Sequence, residues 1–316
     1  MTGCLWLIIA CSEPEPPPQP RELPEGSVQS LFHHLDRYAE WDLLRDDLLP
    51  FQTFHTQGMT KWNGYYFLSS VEITERTETI DGISRFDRTP GEGEGHLFKF
   101  DENGELIQSI TLSEGRMYHP GGIDYGGGYI WVPVAEYRPN SRTVVYRVDP
   151  ETMEAEEVFR FSDHIGAIIF DEGQQMLHGY NWGSRRVYSW ELEENLMLSD
   201  PVQRRAPEFQ INSQFYIDYQ DCQYLGDDLA ICSGLSSYKG IPIGGIELIN
   251  LNTFQPEYQV PVEEFTRGEN PRVMTQNPFF VQSLEDKLEF HFIPEDDESR
   301  HYIYEVSSFR PISCRF

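Results

Sequence analysis

The chain has 316 residues, 39% of them hydrophobic, with 25 glycines, 21 prolines and 5 cysteines. That hydrophobic share excludes a multispan membrane protein and a wholly disordered chain, and so few cysteines exclude a disulfide framework. The 24 basic against 52 acidic residues leave a formal charge of −28, which excludes a surface built to hold nucleic-acid backbone.

The acidity is spread along the chain. Lysine occurs at Lys61, Lys99, Lys239 and Lys287, and the other basic residues are arginines. This reads as a solubility adaptation to a saline medium rather than as an interaction surface. The length suits one large all-β domain as well as two ordinary ones.

Residues Leu5 to Ala10 form a short apolar run, whose end Ile8-Ile9-Ala10-Cys11 resembles a bacterial lipobox. The proline-dense stretch from Glu13 to Pro20 favours an extended chain. The expected order is a lipoprotein-type signal over 1–11, a Pro/Glu-rich tether over 12–26 and a single folded domain over 27–316. That order places the domain in the periplasm or cell envelope, with a lipid on Cys11 as its attachment to the membrane. Two features depart from the pattern: no Lys or Arg precedes the run, and the run is short. A start codon assigned too far downstream explains both. A spanning helix needs ~20 apolar residues, more than this run offers.

From Ser27 to Tyr38, apolar side chains at Val28, Leu31, Phe32, Leu35 and Tyr38 recur at helical spacing behind Ser27, a good N-cap. One short helix is predicted there. After it come short strands broken by Gly, Asn, Asp and Pro, without the strand–helix alternation of a parallel sheet.

The strands repeat. Phe54–Met59 and Tyr65–Glu72 flank a turn at Asn63-Gly64. Tyr118–Ile123 and Tyr129–Glu136 flank Gly126-Gly127-Gly128 in the same order. Further units begin at Asp163, Asp218 and Met274. Two more strands follow in the first unit, at His96–Asp101 and Leu106–Ile110, and two in the second, at Thr143–Asp149 and Glu157–Arg160. Four antiparallel strands at a period of roughly 45 to 60 residues make a β-propeller. The expectation is an all-β propeller of five blades, or six if 190–215 or the C-terminus holds another. The fifth unit lacks a fourth strand, which Trp41 to Leu48 is expected to supply from the N-terminus, closing the ring.

The blocks Tyr118–Asp124, Trp131–Arg142, Asp163–Gly166, Trp182–Arg186 and Tyr219–Cys222 resemble a family of uncharacterised propeller proteins, a domain of unknown function found mainly in bacteria. The resemblance runs from about residue 50 to 305 and implies a propeller, with no established activity to transfer. Thr56-Gln57-Gly58-Met59 before a strand resembles the first blade of propeller-type glutaminyl cyclases, but Ser69-Ser70 stand where their acid follows the second strand and Glu72 is displaced. The arrangement is also similar to propeller lactonases, which hold their ion with carboxylates and asparagines where histidines stand here.

In a propeller, the starts of the innermost strands and the ends of the second strands converge at one end of the central channel. Aligning the units brings His55, His119, Asp163 and Asp218 to equivalent positions, with His164 beside Asp163. These five are the expected ligands of one divalent ion, zinc, manganese or calcium. Glu72, Glu136 and Arg138 at the strand ends are the expected catalytic groups. Gln57, Arg185, Tyr219, Gln220, Asp221, Gln276 and Glu295 are expected to contact a ligand. The insertion 73–95 leaves from the same end, and Arg85 and Arg88 within it are placed to reach an anion. His33, His34, His96, His178, His291 and His301 read as structural or surface residues. Cys222 and Cys232 flank a hairpin turn and suit either a cross-strand disulfide or two small buried thiols. No Gly-x-Ser-x-Gly, phosphate loop or His-Glu-x-x-His occurs.

The functional expectation is an extracytoplasmic, monomeric propeller binding a small or extended ligand at a polar, metal-bearing channel mouth. The alternatives are a metal-assisted hydrolase of lactonase or esterase type, a glutaminyl-cyclase-like enzyme, and a scaffold for a partner.

Overall fold

The structure is a computed structural model that describes residues 23–80, 88–198, 210–211, 216–267 and 270–307. The expected signal and most of the tether lie outside the described residues.

Ser27 caps α1 (Val28–Phe32), its hydroxyl accepting from the Ser30 N–H. The helix is shorter than the 27–38 pattern suggests. Its C-cap is His33, and the segment beyond continues as turns that still bury Leu35.

The chain then forms five antiparallel sheets in sequence. After β1 (Glu40–Leu48), blade one comprises β2 (His55–Trp62), β3 (Tyr65–Glu75), β4 (Glu92–Phe100) and β5 (Leu106–Thr111). Blade two comprises β6 (His119–Pro120), β7 (Asp124–Gly126), β8 (Tyr129–Ala135), β9 (Thr143–Val148) and β10 (Ala155–Phe161), its inner strand being split into β6 and β7. Blade three comprises β11 (Ile165–Asp171), β12 (Met176–Asn181), β13 (Arg186–Glu191) and β14 (Gln210–Ile211). Blade four comprises β15 (Asp218–Gly226), β16 (Leu229–Tyr238), β17 (Ile241–Asn250) and β18 (Gln255–Val262). Blade five comprises β19 (Phe279–Leu284), β20 (Lys287–Phe292) and β21 (Arg300–Ser307). There β1 pairs antiparallel with β21, Trp41 opposite Val306, so the N-terminal strand completes the last blade. The stretch that suggested a sixth blade instead carries the outer strand of blade three.

Both faces of each sheet are apolar because each packs on a neighbouring blade. Phe67 of β3 belongs to the cluster shared with blade two, while Tyr66 and Leu68 belong to the one shared with blade five. Four other rings and chains, Phe100, Phe170, Phe290 and Trp131, are wholly buried in such seams. Fully burying a side chain of this kind stabilises the fold by about 1.5–3 kcal/mol.

The split in blade two occurs where backbones meet at the channel. The Gly122 N–H donates to Gly166 O at 2.8 Å. A Cβ on Gly121 would stand 2.3 Å from that same oxygen, which only glycine avoids. Two buried carboxylates tie the inner strands together. Asp221 accepts from the backbone N–H groups of Met59, Ile123, Phe279 and Cys222, at 2.7 to 3.2 Å. Those donors belong to blades one, two, five and four. Asp124 accepts likewise from Phe170, Tyr224 and its neighbour Tyr125. Cys222 and Cys232 face each other across β15 and β16 and form a disulfide, both residues buried.

Candidate functional site at the mouth of the channel

One end of the channel opens into a cavity of about 300 Å³ to which all five blades contribute. His55 opens β2, His119 opens β6, and His164 directly precedes β11, so three imidazoles arrive at one level. The His55 and His119 ring centres are 6.0 Å apart, and those of His119 and His164 are 6.1 Å apart.

Their protonation follows from their partners. His164 sets Nδ1 at 2.9 Å from the Glu136 carbonyl oxygen, which can only accept, so Nδ1 carries the proton and Nε2 is a lone pair. Burial lowers this imidazole to about 4, despite the Glu136 carbonyl and the Asp163 charge that favour its cation. His55 sets Nδ1 at 2.8 Å from an Asp296 carboxylate oxygen. Burial alone would raise the Asp296 carboxyl, but hydrogen bonds from His55 and Arg272 bring it down to about 2. His119 is different: it is 4% exposed, and neither ring nitrogen has a partner among the described residues. Burial, reinforced by the neighbouring histidines, holds it well below the ordinary imidazole range, so it stays neutral.

An aromatic layer orients these rings. Tyr137 stacks on His119, centres 4.0 Å apart and 16° from parallel. Trp182 meets His164 edge-on at 4.9 Å. Arg88, from the insertion after β3, lies over Trp182 at 4.8 Å and Tyr137 at 5.7 Å. The guanidinium therefore rests on two rings that line the cavity, held by cation–π attraction. Arg85 lies outside the described residues. The remaining polar lining is mostly amide, from Gln57, Gln220, Gln276, Asn181 and Asn277, with Asp218 and Tyr219 beside them.

The expected metal set does not converge as a ligand cage. Asp163 is 3% exposed and used internally, accepting from the His164 N–H, Asn181 Nδ2 and the Tyr188 hydroxyl. Asp218 lines the cavity but is paired with Arg185. Among the described residues, the group of three whose ligand atoms all lie within 4.8 Å of one another is Glu72, Glu94 and His96, on blade one.

The strand-end glutamates do not reach the channel either. In β8 the residues Ile130, Val132 and Val134 face blade one. Glu136 continues that row, so it turns into the seam and pairs with Arg138 at 2.8 Å. Glu136 and Arg138 line a separate cavity of about 340 Å³ with Arg116 and Arg142. Glu72 continues the row Tyr66 and Leu68 toward blade five, into a side cavity of about 520 Å³. That cavity meets the channel mouth at His55 and Tyr137. Glu295 is held by the Arg300 N–H and the Tyr302 hydroxyl within its own blade.

Of the expected ligand contacts, Gln57, Gln220 and Gln276 line the cavity. Tyr219 lines it too, but its hydroxyl donates to buried Glu247. Arg185 stands at the rim on Asp218. Asp221 lies beneath, 0% exposed, with both oxygens taken by backbone N–H groups, and is not available to a ligand. Sequence reasoning missed Tyr137, Trp182, Asn181 and Asn277. Tyr137 and Trp182 stood inside blocks it had singled out, where the charged neighbours drew the attention.

The model of a family of unknown function, DUF6454, matches residues 28–310. The chain belongs to DUF6454. The family resemblance read from the sequence blocks is thereby borne out. Two solved structures share the DUF6454 chain's fold. A hypothetical protein from Leishmania major superposes with a TM-score of 0.50 at 14% identity, over 87% of this chain and 93% of that one. The tail fiber of Staphylococcus aureus phage P68 does so with 0.50 at 9% identity, over 89% of this chain and 56% of that one. At such identities the likeness shows the fold alone. A search of curated proteins finds none that matches.

Proposed function

We propose that this DUF6454 propeller binds a small hydroxylated ligand, a monosaccharide or sugar acid, at the channel mouth. The observation that carries the reading is His119: a buried neutral imidazole with both nitrogens unpartnered among the described residues, facing a cavity of about 300 Å³. A buried polar group without a partner costs about 1–3 kcal/mol, which a ligand hydroxyl removes. Hydroxyls both donate and accept, so they match imidazole lone pairs and the amides of Gln57, Gln220 and Gln276 together. Arg88 over the aromatic layer suits a ligand carboxylate. Binding is favoured over hydrolysis because Glu72, Glu136 and Glu295 stand outside the cleft.

Calorimetric titration with a panel of monosaccharides and uronic acids tests this. At least one should bind, and His119→Ala should weaken it tenfold or more, while Arg88→Ala should weaken the acids selectively. A panel without a binder, or a binder indifferent to His119, refutes the reading.

A second reading rests on the Nε2 lone pair of His164 and the anchored Nδ1 of His55. With His119 these histidines would hold one divalent ion after side-chain closure, and that ion would lend Lewis acidity to a hydrolysis. It predicts metal lost in His119→Gln. The Cys222–Cys232 disulfide supports a place in the oxidising cell envelope, where a lipid on Cys11 would anchor the chain.

A further inference from the structure

We propose that Glu72, Glu94 and His96 of blade one form a binding site for a divalent transition-metal ion, zinc or manganese. The site is distinct from the channel histidines and does not depend on the ligand proposed there. Glu72 in β3 pairs directly with Glu94 in β4, and His96 follows two residues on, so all three share one face of the sheet. One ligand atom from each lies within 4.8 Å of the others. An ion with bonds of about 2.0–2.1 Å brings such atoms to roughly 3.3 Å, a closure that side-chain rotation supplies.

Three observations point to a cation. Directly opposed carboxylates repel across a sheet, yet neither glutamate forms an ion pair with a described lysine or arginine. His96 buries its Nε2 without a hydrogen-bond partner among the described residues. Its ring is fixed by stacking on Phe54, 4.9 Å away at 19°, and on Phe98, 5.6 Å away at 19°.

The surroundings suit a held ion with open positions. Thr111 donates its hydroxyl to Glu94 at 2.9 Å, orienting that carboxylate from the next strand. Glu72 lines the side cavity of about 520 Å³, so a ligand or water there has access to one side of the ion. Two carboxylates and one imidazole favour zinc or manganese over calcium, which prefers oxygen alone.

The test uses the full chain without a histidine tag, stripped with chelator and titrated with Zn²⁺ or Mn²⁺ alone. Metal content and calorimetry should show an equivalent whose affinity falls at least tenfold in His96→Gln and in Glu94→Gln. Glu94 is exposed, so its variant tests the site without disturbing the core. Co²⁺ bound to the wild type should show a visible absorption band that His96→Gln shifts or abolishes. The proposal is overturned if no ion is retained, or if the retained ion is indifferent to both variants. Loss of the ion in His119→Gln with full retention in His96→Gln would also overturn it, placing the ion in the channel.

Discussion

The neutral imidazole of His164 makes a quantitative prediction about acid. In the unfolded chain this side chain takes up a proton near pH 6.5. In the folded protein burial lowers it to about 4. Between those values the unfolded state binds more protons, so stability falls as pH falls through the window. It is fully present above about pH 6.5. A difference of about 2.5 units at ~1.4 kcal/mol each is worth roughly 3 kcal/mol by pH 4. The perturbation is His164→Asn, whose Nδ2 can keep the bond to the Glu136 carbonyl while removing the titration. The assay is urea unfolding of both proteins at intervals from about pH 8 to pH 4. Carboxylates titrate in both, so the difference between the two curves isolates His164. That difference should be flat above pH 7 and shift by roughly 3 kcal/mol in the variant's favour by pH 4. A difference that stays constant across the window would refute the claim that His164 is neutral because it is buried.

Four further outcomes follow from the same structure. Asp221→Asn leaves two of four inner-strand N–H groups facing a donor, and at about 1–3 kcal/mol each should destabilise by about 2–6 kcal/mol. Asp218→Asn, at the exposed Arg185 pair, should change unfolding by under about 1 kcal/mol, and equal effects of the two variants would contradict the claim that Asp221 ties the inner strands together. Reducing Cys222–Cys232 opens a short loop and should cost roughly 2–3 kcal/mol, read as a lowered thermal midpoint that Cys222→Ala/Cys232→Ala reproduces. Trp41→Ala removes the ring that contacts Phe290 at 4.9 Å and should weaken ring closure by about 2–4 kcal/mol, seen in chemical denaturation. A neutral result would mean that β1 adds little to blade five.

The propeller was legible because the repeat unit is written in side chains that have no alternative. Strands buried on both faces read as apolar runs, and Trp41–Leu48 was needed because the last unit lacked a strand. The starts of the inner strands were legible for a related reason. Alignment of the repeats sets His55 and His119 at one position and Gln57, Gln220 and Gln276 two residues further on, both at the strand starts, and height along the strand is what decides whether a residue meets the channel mouth. The choice between Asp163 and His164 was not legible, because it depends on Tyr188 and Asn181, which approach from two other strands.

Strand ends obey a second condition, side-chain phase, that repeat alignment alone does not carry. In β8, Ile130, Val132 and Val134 face the preceding blade, and Glu136 goes with them. Trp131 faces the following blade, and Tyr137 continues that row into the cleft. In β12, Leu177 faces blade two while Tyr180 faces blade four, and Trp182 continues the row of Tyr180. In β3, Phe67 faces blade two, whereas Glu72 continues the row of Tyr66 and Leu68 toward blade five. In blades two and three, then, the row that faces the following blade delivers its last side chain to the channel mouth. In blades one and two, the row that faces the preceding blade delivers its last side chain to a seam or side cavity. Glu72 and Glu136 occupy the second kind of row, and Tyr137 and Trp182 the first. The channel mouth is therefore lined by rings, amides, imidazoles and the Arg185-paired carboxylate of Asp218, while Glu72 and Glu136 stand between the blades, where Glu72 finds Glu94 and His96.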